Sequence, residues 1–590
     1  MAQGRGWRVG VIGMTSLIVF ACGDGDPHGV DGSPGAGADA AVADGSPEVD
    51  GSTFDGGAGA TDAGSIDGGA IDACPIDAGS TDGGSTDAGS IDAGAGGPTI
   101  DSVMTADGFT QVRQGSSATL VIRGSGLGEI DTVTVGELTA TVVDAAPNEV
   151  LADLIVPHGT APGPRDVAVS GPGGSVSRAN AIETTVYVVS ASAQPGGLGT
   201  FESPLILCDP QTVTATAGDT ISLLAGEHAC DAPASIDLPH GVTVTGAGRG
   251  ATLVRGVTQS FAGFRLIRDP AGLPTTLRGF TVVAPAPVEG MAFLVDGPAT
   301  LAVEDVGIEG SGFHLLTGVT AAFDRVQVDC GGGIGIDAEG PPTVTVTDSS
   351  FIGCDAGVSA GPGSWSIATS TFERCTVGIK SVDRQFQGNL AVTSCEMIDD
   401  GTGIDLLSGT AQVTDTIIRD VEVTPEAMQL GIRAFGASLD LSGGEIVGHD
   451  QIGILVLASV EGPTFNVSIT DALIVGGPIG VDADGRDNPN SLVMRNSVVR
   501  DQTFASVRIF VEWFTVTLDL GNGGGPGGNE LSVVSGIALR DIREDPDEFN
   551  GTIDATGMTL NGRSYAGQLI QGPASLPPDY EMLADGQIQF

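Results

Sequence analysis

Apolar and polar residues alternate in short bursts through most of this chain. Segments such as Thr119-Leu120-Val121-Ile122 and Thr132-Val133-Thr134-Val135-Gly136 soon meet a glycine or proline turn. Alternation over so few residues is the period of a half-buried strand. Helical repeats are excluded, because each run is too short and glycine separates the runs. Residues 99–186 hold a first group of such strands at the spacing of a small sandwich.

From Tyr187 to Phe590 the pattern becomes a repeat. Thr347-Asp348-Ser349-Ser350-Phe351, Thr369-Ser370-Thr371-Phe372, Thr393-Ser394-Cys395-Glu396-Met397, Thr414-Asp415-Thr416-Ile417, Thr470-Asp471-Ala472-Leu473 and Arg495-Asn496-Ser497-Val498 line up. Glycine-apolar steps follow at Gly357-Val358, Gly378-Ile379, Gly403-Ile404, Gly431-Ile432 and Gly480-Val481. Short β-branched strands repeating every 20 to 30 residues or so predict a solenoid, here a parallel β-helix. About thirteen coils at ~4.8 Å each would stack to ~60 Å. The alignment predicts an apolar ladder of Phe351, Phe372, Met397, Ile417, Leu473 and Val498. It also predicts a polar turn ladder of Ser349, Ser370, Asp415, Asp471 and Asn496.

The N-terminal part lacks any such pattern. Between Gly23 and Pro98, aspartates recur every five residues (Asp62, Asp67, Asp72 and on to Asp92) among Gly, Ala, Ser and Thr. A period of five builds no apolar face, so residues 22–98 read as an extended, self-repelling tether. Before it, Arg5 and Arg8 precede an apolar run from Val9 to Ala21, too short to span a bilayer comfortably. Residues 1–21 therefore read as a secretory signal.

Charge narrows the partners. The chain carries 74 acidic against 24 basic residues, a net charge of −50. That field repels phosphate backbones and excludes a nucleic-acid partner. Lys380 is the sole lysine.

Three resemblances add to this reading. Val19-Phe20-Ala21-Cys22 resembles a bacterial lipobox, which implies that Cys22 becomes the diacylated first residue of the mature protein. Gly23 in place of aspartate lacks the inner-membrane retention signal. The expectation is an outer-membrane lipoprotein of the cell envelope, surface-exposed or periplasmic, held to the membrane by lipid. Residues 99–186, through Pro98-Thr99-Ile100, Ile122-Arg123-Gly124-Ser125-Gly126-Leu127-Gly128 and Asp166-Val167-Ala168-Val169, resemble the IPT/TIG immunoglobulin-like family, a spacer or contact module. Tyr187-Val188-Val189 through Gly218-Asp219-Thr220-Ile221 and Gly226 resembles the N-terminal coil of right-handed β-helix proteins related to pectate lyases. The expected class is all-β: an immunoglobulin-like sandwich, then a long right-handed parallel β-helix over residues 187–590 with terminal caps.

Export permits disulfides. Cys208 and Cys230 lie about one coil apart and are placed to bridge. Cys354 and Cys375 each stand three residues before a glycine-apolar step and should stack, either bridged or as packed thiols, with Cys330 and Cys395 unassigned. Cys74 falls in the tether.

Four constellations carry candidate chemistry. Asp399-Asp400, with His449 and Arg433, offers paired carboxylates and a base of the kind polygalacturonase-like β-helices use. Asp482, Asp484 and Asp487 have oxygen ligands at calcium-like spacing, making calcium the one cofactor the sequence raises. A lyase would need an exposed arginine near an acidic sugar, and Arg374, Arg419, Arg433 and Arg500 are available. Trp365, Trp513 and Phe510 are candidates for stacking on sugar rings. Solvated turns and core packing account for the same residues without function. Two function classes follow: non-catalytic surface binding of glycan, matrix or another cell's surface protein, and a polysaccharide lyase or hydrolase acting on acidic polysaccharide.

Overall fold

The computed structural model describes residues 97–590 apart from 209–213, 231–234, 257–262, 268–272, 285–290, 382–387, 421–429, 458–465, 485–489, 512–515, 521–526, 536, 544–551, 555–558, 561, 565–568, 572–580, 583–587 and 590. Cys22, Cys74 and the tether lie outside the described residues. The described residues all belong to one compact unit, Ile91–Phe590.

Eight strands from Thr99–Thr105 to Gly174–Thr185 form a mostly antiparallel sheet around its own core. Alternate residues face inward, so Leu120 and Ile122 on one strand, and Val133 and Val135 on another, are fully buried. Gln111–Arg113 adds in parallel beside the last strand.

Tyr187–Val189 opens an all-β solenoid in which parallel sheets of 16, 15 and 13 strands run its length among the described residues. One coil comprises Thr343–Thr347 in the first sheet, Ser350–Ile352 in the second and Ala356–Ala360 in the third. The next is Ser364–Ala368, Thr371–Glu373 and Val377–Ser381, paired strand on strand with the first. Right-handed coiling is the hand that parallel crossover connections take. Near the C-terminus, antiparallel returns at Leu569–Gln571 and Arg563–Ser564 end the first two sheets.

The corner between first and second sheets sets the register. One residue there is left-handed in coil after coil: Asp305, Arg325, Asp348, Thr369, Ser394, Asp415, Asp471 and Asn496, with φ between 48° and 54°, and Gly443 takes the place in one coil at 71°. Short polar side chains tolerate this conformation best, which explains the Asp and Asn; Thr369 is unusual there and donates to Asp348 Oδ1 at 2.5 Å. Counting three residues on from this position gives the true apolar ladder: Phe351, Phe372, Met397, Ile418, Ile446, Ile474 and Val499. The expected Ile417, Leu473 and Val498 are each one residue early, and Ile417 is 36% exposed. Two apolar residues stand side by side in those units, so the sequence pattern alone could not choose between them. The polar ladder likewise splits in two. Asp415, Asp471 and Asn496 occupy the left-handed position, whereas Ser349 and Ser370 follow it and are buried.

The core is a continuous stack. Phe351 lies face to face on Phe372, with ring centroids 5.1 Å apart, and burying such a ring stabilises by roughly 1.5–3 kcal/mol. A side chain at Gly357 would place Cβ 2.4 Å from the Phe372 ring, so the glycine-apolar step makes room for the phenylalanines. Cys208 and Cys230 form a disulfide, Cα atoms 5.3 Å apart. Cys354 pairs with Cys330 on the preceding coil, at 4.8 Å, leaving Cys375 and Cys395 as buried thiols.

Asp219 fastens the first coil to the N-terminal sheet. Its carboxylate is fully buried and accepts from the Gly159 N–H at 2.9 Å and the Thr216 N–H at 2.9 Å, beside His158 Nδ1 at 2.6 Å. Gln114 Oε1 accepts from the Thr220 N–H at 2.7 Å across the same junction.

Candidate functional site

The four residues expected to act together do not meet. Asp399 forms a left-handed corner between second and third sheets. Asp400, next in the chain, turns inward: its Oδ1 accepts the Cys375 N–H at 2.7 Å, and its Oδ2 is buried without a hydrogen bond. Burial pushes its pKa up to about 8, with Asp399 and Glu373 adding to the rise against the Cys375 hydrogen bond, so the carboxyl is neutral at pH 7. His449 occupies the equivalent inner corner two coils on, about 10 Å away by strand spacing. Its Nε2 donates to the Ile479 carbonyl at 2.9 Å, and burial pulls its pKa down to about 4. Gly477 is required beside it, because a Cβ there would lie 2.4 Å from the imidazole. Arg433 stands on the opposite side of the wall, outside the third sheet.

That outer face collects the cations. In the third sheet, the residue directly after each glycine-apolar step points outward, between inward Val358 and Ala360, Ile404 and Leu406, and Ile432 and Ala434. They stack as Ser359, Lys380, Asp405, Arg433, Leu455, Asp482 and Arg508 in one column. The sole lysine therefore stands one rung from Asp405. Arg433 Nε donates to Asp405 Oδ1 at 2.6 Å, and its Nη2 donates to Oδ2. Arg508 repeats the fork on Asp482, with Nε to Oδ1 at 2.8 Å and Nη2 to Oδ2. Both carboxylates are buried under their arginines, and the hydrogen bond to Asp405 holds the Arg433 pKa above its ordinary value.

The fork bears on calcium as well. Asp482 gives both oxygens to a guanidinium, which occupies the place a cation would take. The Asp484 side chain and Asp487 lie outside the described residues, and among the described residues no three metal-ligating side chains gather. The register missed in the sequence is that of Lys380, Asp405 and Arg508. Each was marked by its position after a glycine-apolar step, or after Ser506-Val507 in the last case.

A second surface feature lies on the outer face of the first sheet. An open groove of about 520 Å³ is lined by Thr343, Thr345, Ser364, Ser366, Asn389 and Gln412, all uncharged. Trp365 provides no platform for a sugar ring: it is 2% exposed, with its indole N–H donating to the Gly361 carbonyl at 3.1 Å. Trp513 and the Phe510 side chain lie outside the described residues.

No protein-family model matches this chain, and neither does any curated protein. Among solved structures, the chain is similar to the catalytic unit of a thermostable GH87 α-1,3-glucanase from Streptomyces thermodiastaticus, with 13% identity, a TM-score of 0.38, and coverage of 81% of this chain and 97% of that one. It is similar to the tailspike protein of E. coli bacteriophage HK620 in complex with a hexasaccharide, with 12% identity, a TM-score of 0.33, and 60% and 77% covered. A periplasmic alginate epimerase follows, with 11% identity, a TM-score of 0.29, and 56% and 79% covered. Likeness at this level carries no activity across, and the fold stated above rests on the strand register.

Proposed function

We propose that this protein is a lipid-anchored surface protein whose solenoid binds an acidic polysaccharide along the outer face of the third sheet. The observation that carries the reading is the cationic column: Lys380, Arg433 and Arg508 share one line in a chain of net charge −50. Of the five guanidinium N–H groups of Arg433, Asp405 takes two; three remain for an acidic sugar. The carboxylate partners fix the planes of the guanidiniums, which lowers the entropy lost on binding. Cys22, the 22–98 tether and an IPT/TIG-like module over 99–186 would carry this face away from the membrane.

A lyase or hydrolase is the competing reading. Asp400 and His449 face the core, which removes them from solvent chemistry in this fold. Asp405 and Asp482 stand three rungs apart, ~14 Å, wider than the ~6.5–9.5 Å that an inverting carboxylate pair spans.

Affinity electrophoresis in gels containing polygalacturonate, with dextran as the neutral control, tests the proposal. Retardation by polygalacturonate alone is expected. Lys380→Gln should weaken it several-fold and flatten its salt dependence. Equal retardation by dextran, or an unchanged Lys380→Gln variant, would overturn the reading. Release of unsaturated products or new reducing ends would replace it with the enzyme.

A further inference from the structure

The junction between the sandwich and the first coil holds a cleft of about 640 Å³, walled by Thr105, Gln111 and Ser117 on one side and Leu198 and Thr214 on the other. Its size falls within the range of small-molecule sites, which favour such junctions. Arg113 lines it as well. The guanidinium lies 4.2 Å from the centre of the Tyr187 ring, and its Nε is buried without an acceptor. Among the described residues no carboxylate forms an ion pair with it, although the chain has three acids for every base. Among the described residues, Asp219 serves His158, Gly159 and Thr216, and Glu202 accepts from Thr110. Asp107, also on the cleft wall, is exposed. Burial lowers the Arg113 pKa, against the raising fields of Tyr187 and Asp219. A buried guanidinium N–H left without an acceptor is costly unless something supplies one.

We propose that this cleft binds a small carboxylate-bearing ligand of sugar-acid size, whose carboxylate accepts the hydrogen bonds that Arg113 leaves unmade. Hydroxyls of Thr105, Ser117 and Thr214 and the apolar side of Leu198 would meet the rest of the molecule. A planar guanidinium suits a planar carboxylate through two parallel bonds, which a lysine at the same place could not make. The site is separate from the third-sheet column and does not depend on it.

Titration calorimetry on the full-length protein tests this with glucuronate, glucose as its neutral counterpart, and inorganic sulfate as a bare oxyanion. Glucuronate is expected to bind at least tenfold more tightly than either. Arg113→Lys should weaken glucuronate at least tenfold. Ser117→Trp, made at an exposed position, fills the cleft while leaving Arg113 in place, and should do the same. Glucuronate no tighter than glucose or sulfate, or wild-type affinity in either cleft variant, overturns the proposal.

Discussion

Asp400 and His449 occupy one inner corner two coils apart, and burial drives their proton affinities in opposite directions. The native Asp400 holds a proton that the unfolded chain releases above the ordinary aspartate value. Its contribution to stability is therefore full below that value and declines as pH rises, until it is gone above about 8. The native His449 refuses a proton that the unfolded chain accepts below about 6.5. Its contribution is full above that value and declines as pH falls through about 4. Each effect amounts to roughly 1.4 kcal/mol per pH unit within its window. Thermal unfolding from pH 4 to 9 should show Asp400→Asn losing less stability than wild type toward alkaline pH. His449→Gln should lose less toward acid. Parallel pH profiles for wild type and both variants would show that neither group is buried as described. Nothing in the sequence marked these residues as internal, because Asp-Asp before glycine and His-Asp after glycine read equally well as solvated turns. Only the coil register turns one side chain of each pair inward.

At the scale of strands and corners, the repeat was legible and its phase only partly so. Phe351 and Phe372 each follow a small polar residue, Ser350 and Thr371, and the alignment placed both correctly in the ladder. Ile417-Ile418, Leu473-Ile474 and Val498-Val499 offered two apolar choices each, and only the left-handed residue three positions earlier decides. The disulfide was ambiguous for a related reason. Cys330, Cys354 and Cys375 come one per coil, so each neighbouring pair meets the Cα separation a bridge requires. The cationic column was written in the chain as the third residue of each glycine-apolar step, but it carries meaning only once strands two coils apart are known to share a face. A strand-scale test follows from the same register. Phe372 is fully buried and Thr371 only partly. Phe372→Asp should lower stability by several kcal/mol, since it leaves an unpaired charge against Phe351 and Met397. Thr371→Asp should stay within about 0.5 kcal/mol. Hydrogen exchange should localise the loss to the coils on either side of Phe372, with the 99–186 sandwich unaffected. Greater damage from Thr371→Asp would shift the whole strand by one residue.

At the scale of the whole molecule, charge and attachment belong to one argument. Under the proposed anchoring, a net charge of −50 would hold the bulk of the chain off an anionic leaflet, with the aspartate-rich segment as the spacer. Such a molecule stays at the envelope only if something apolar holds it. No helix among the described residues is long and apolar enough to cross a membrane, and the sequence offers Cys22 as the acylation site. Each buried methylene of an acyl chain contributes ~0.8 kcal/mol, and two or more chains on one residue suffice for stable anchoring where a single chain does not. Cys22→Ala should therefore move the protein from the membrane fraction to the soluble fraction. Polygalacturonate retardation should stay unchanged, because the third-sheet column lies hundreds of residues away in the chain. Metabolic labelling with a fatty-acid analogue should mark wild type and leave the variant unlabelled. A variant that remains in the membrane fraction after a high-salt wash would show that another part of the chain, or a bound partner, holds the protein in place, and the lipoprotein reading would fall.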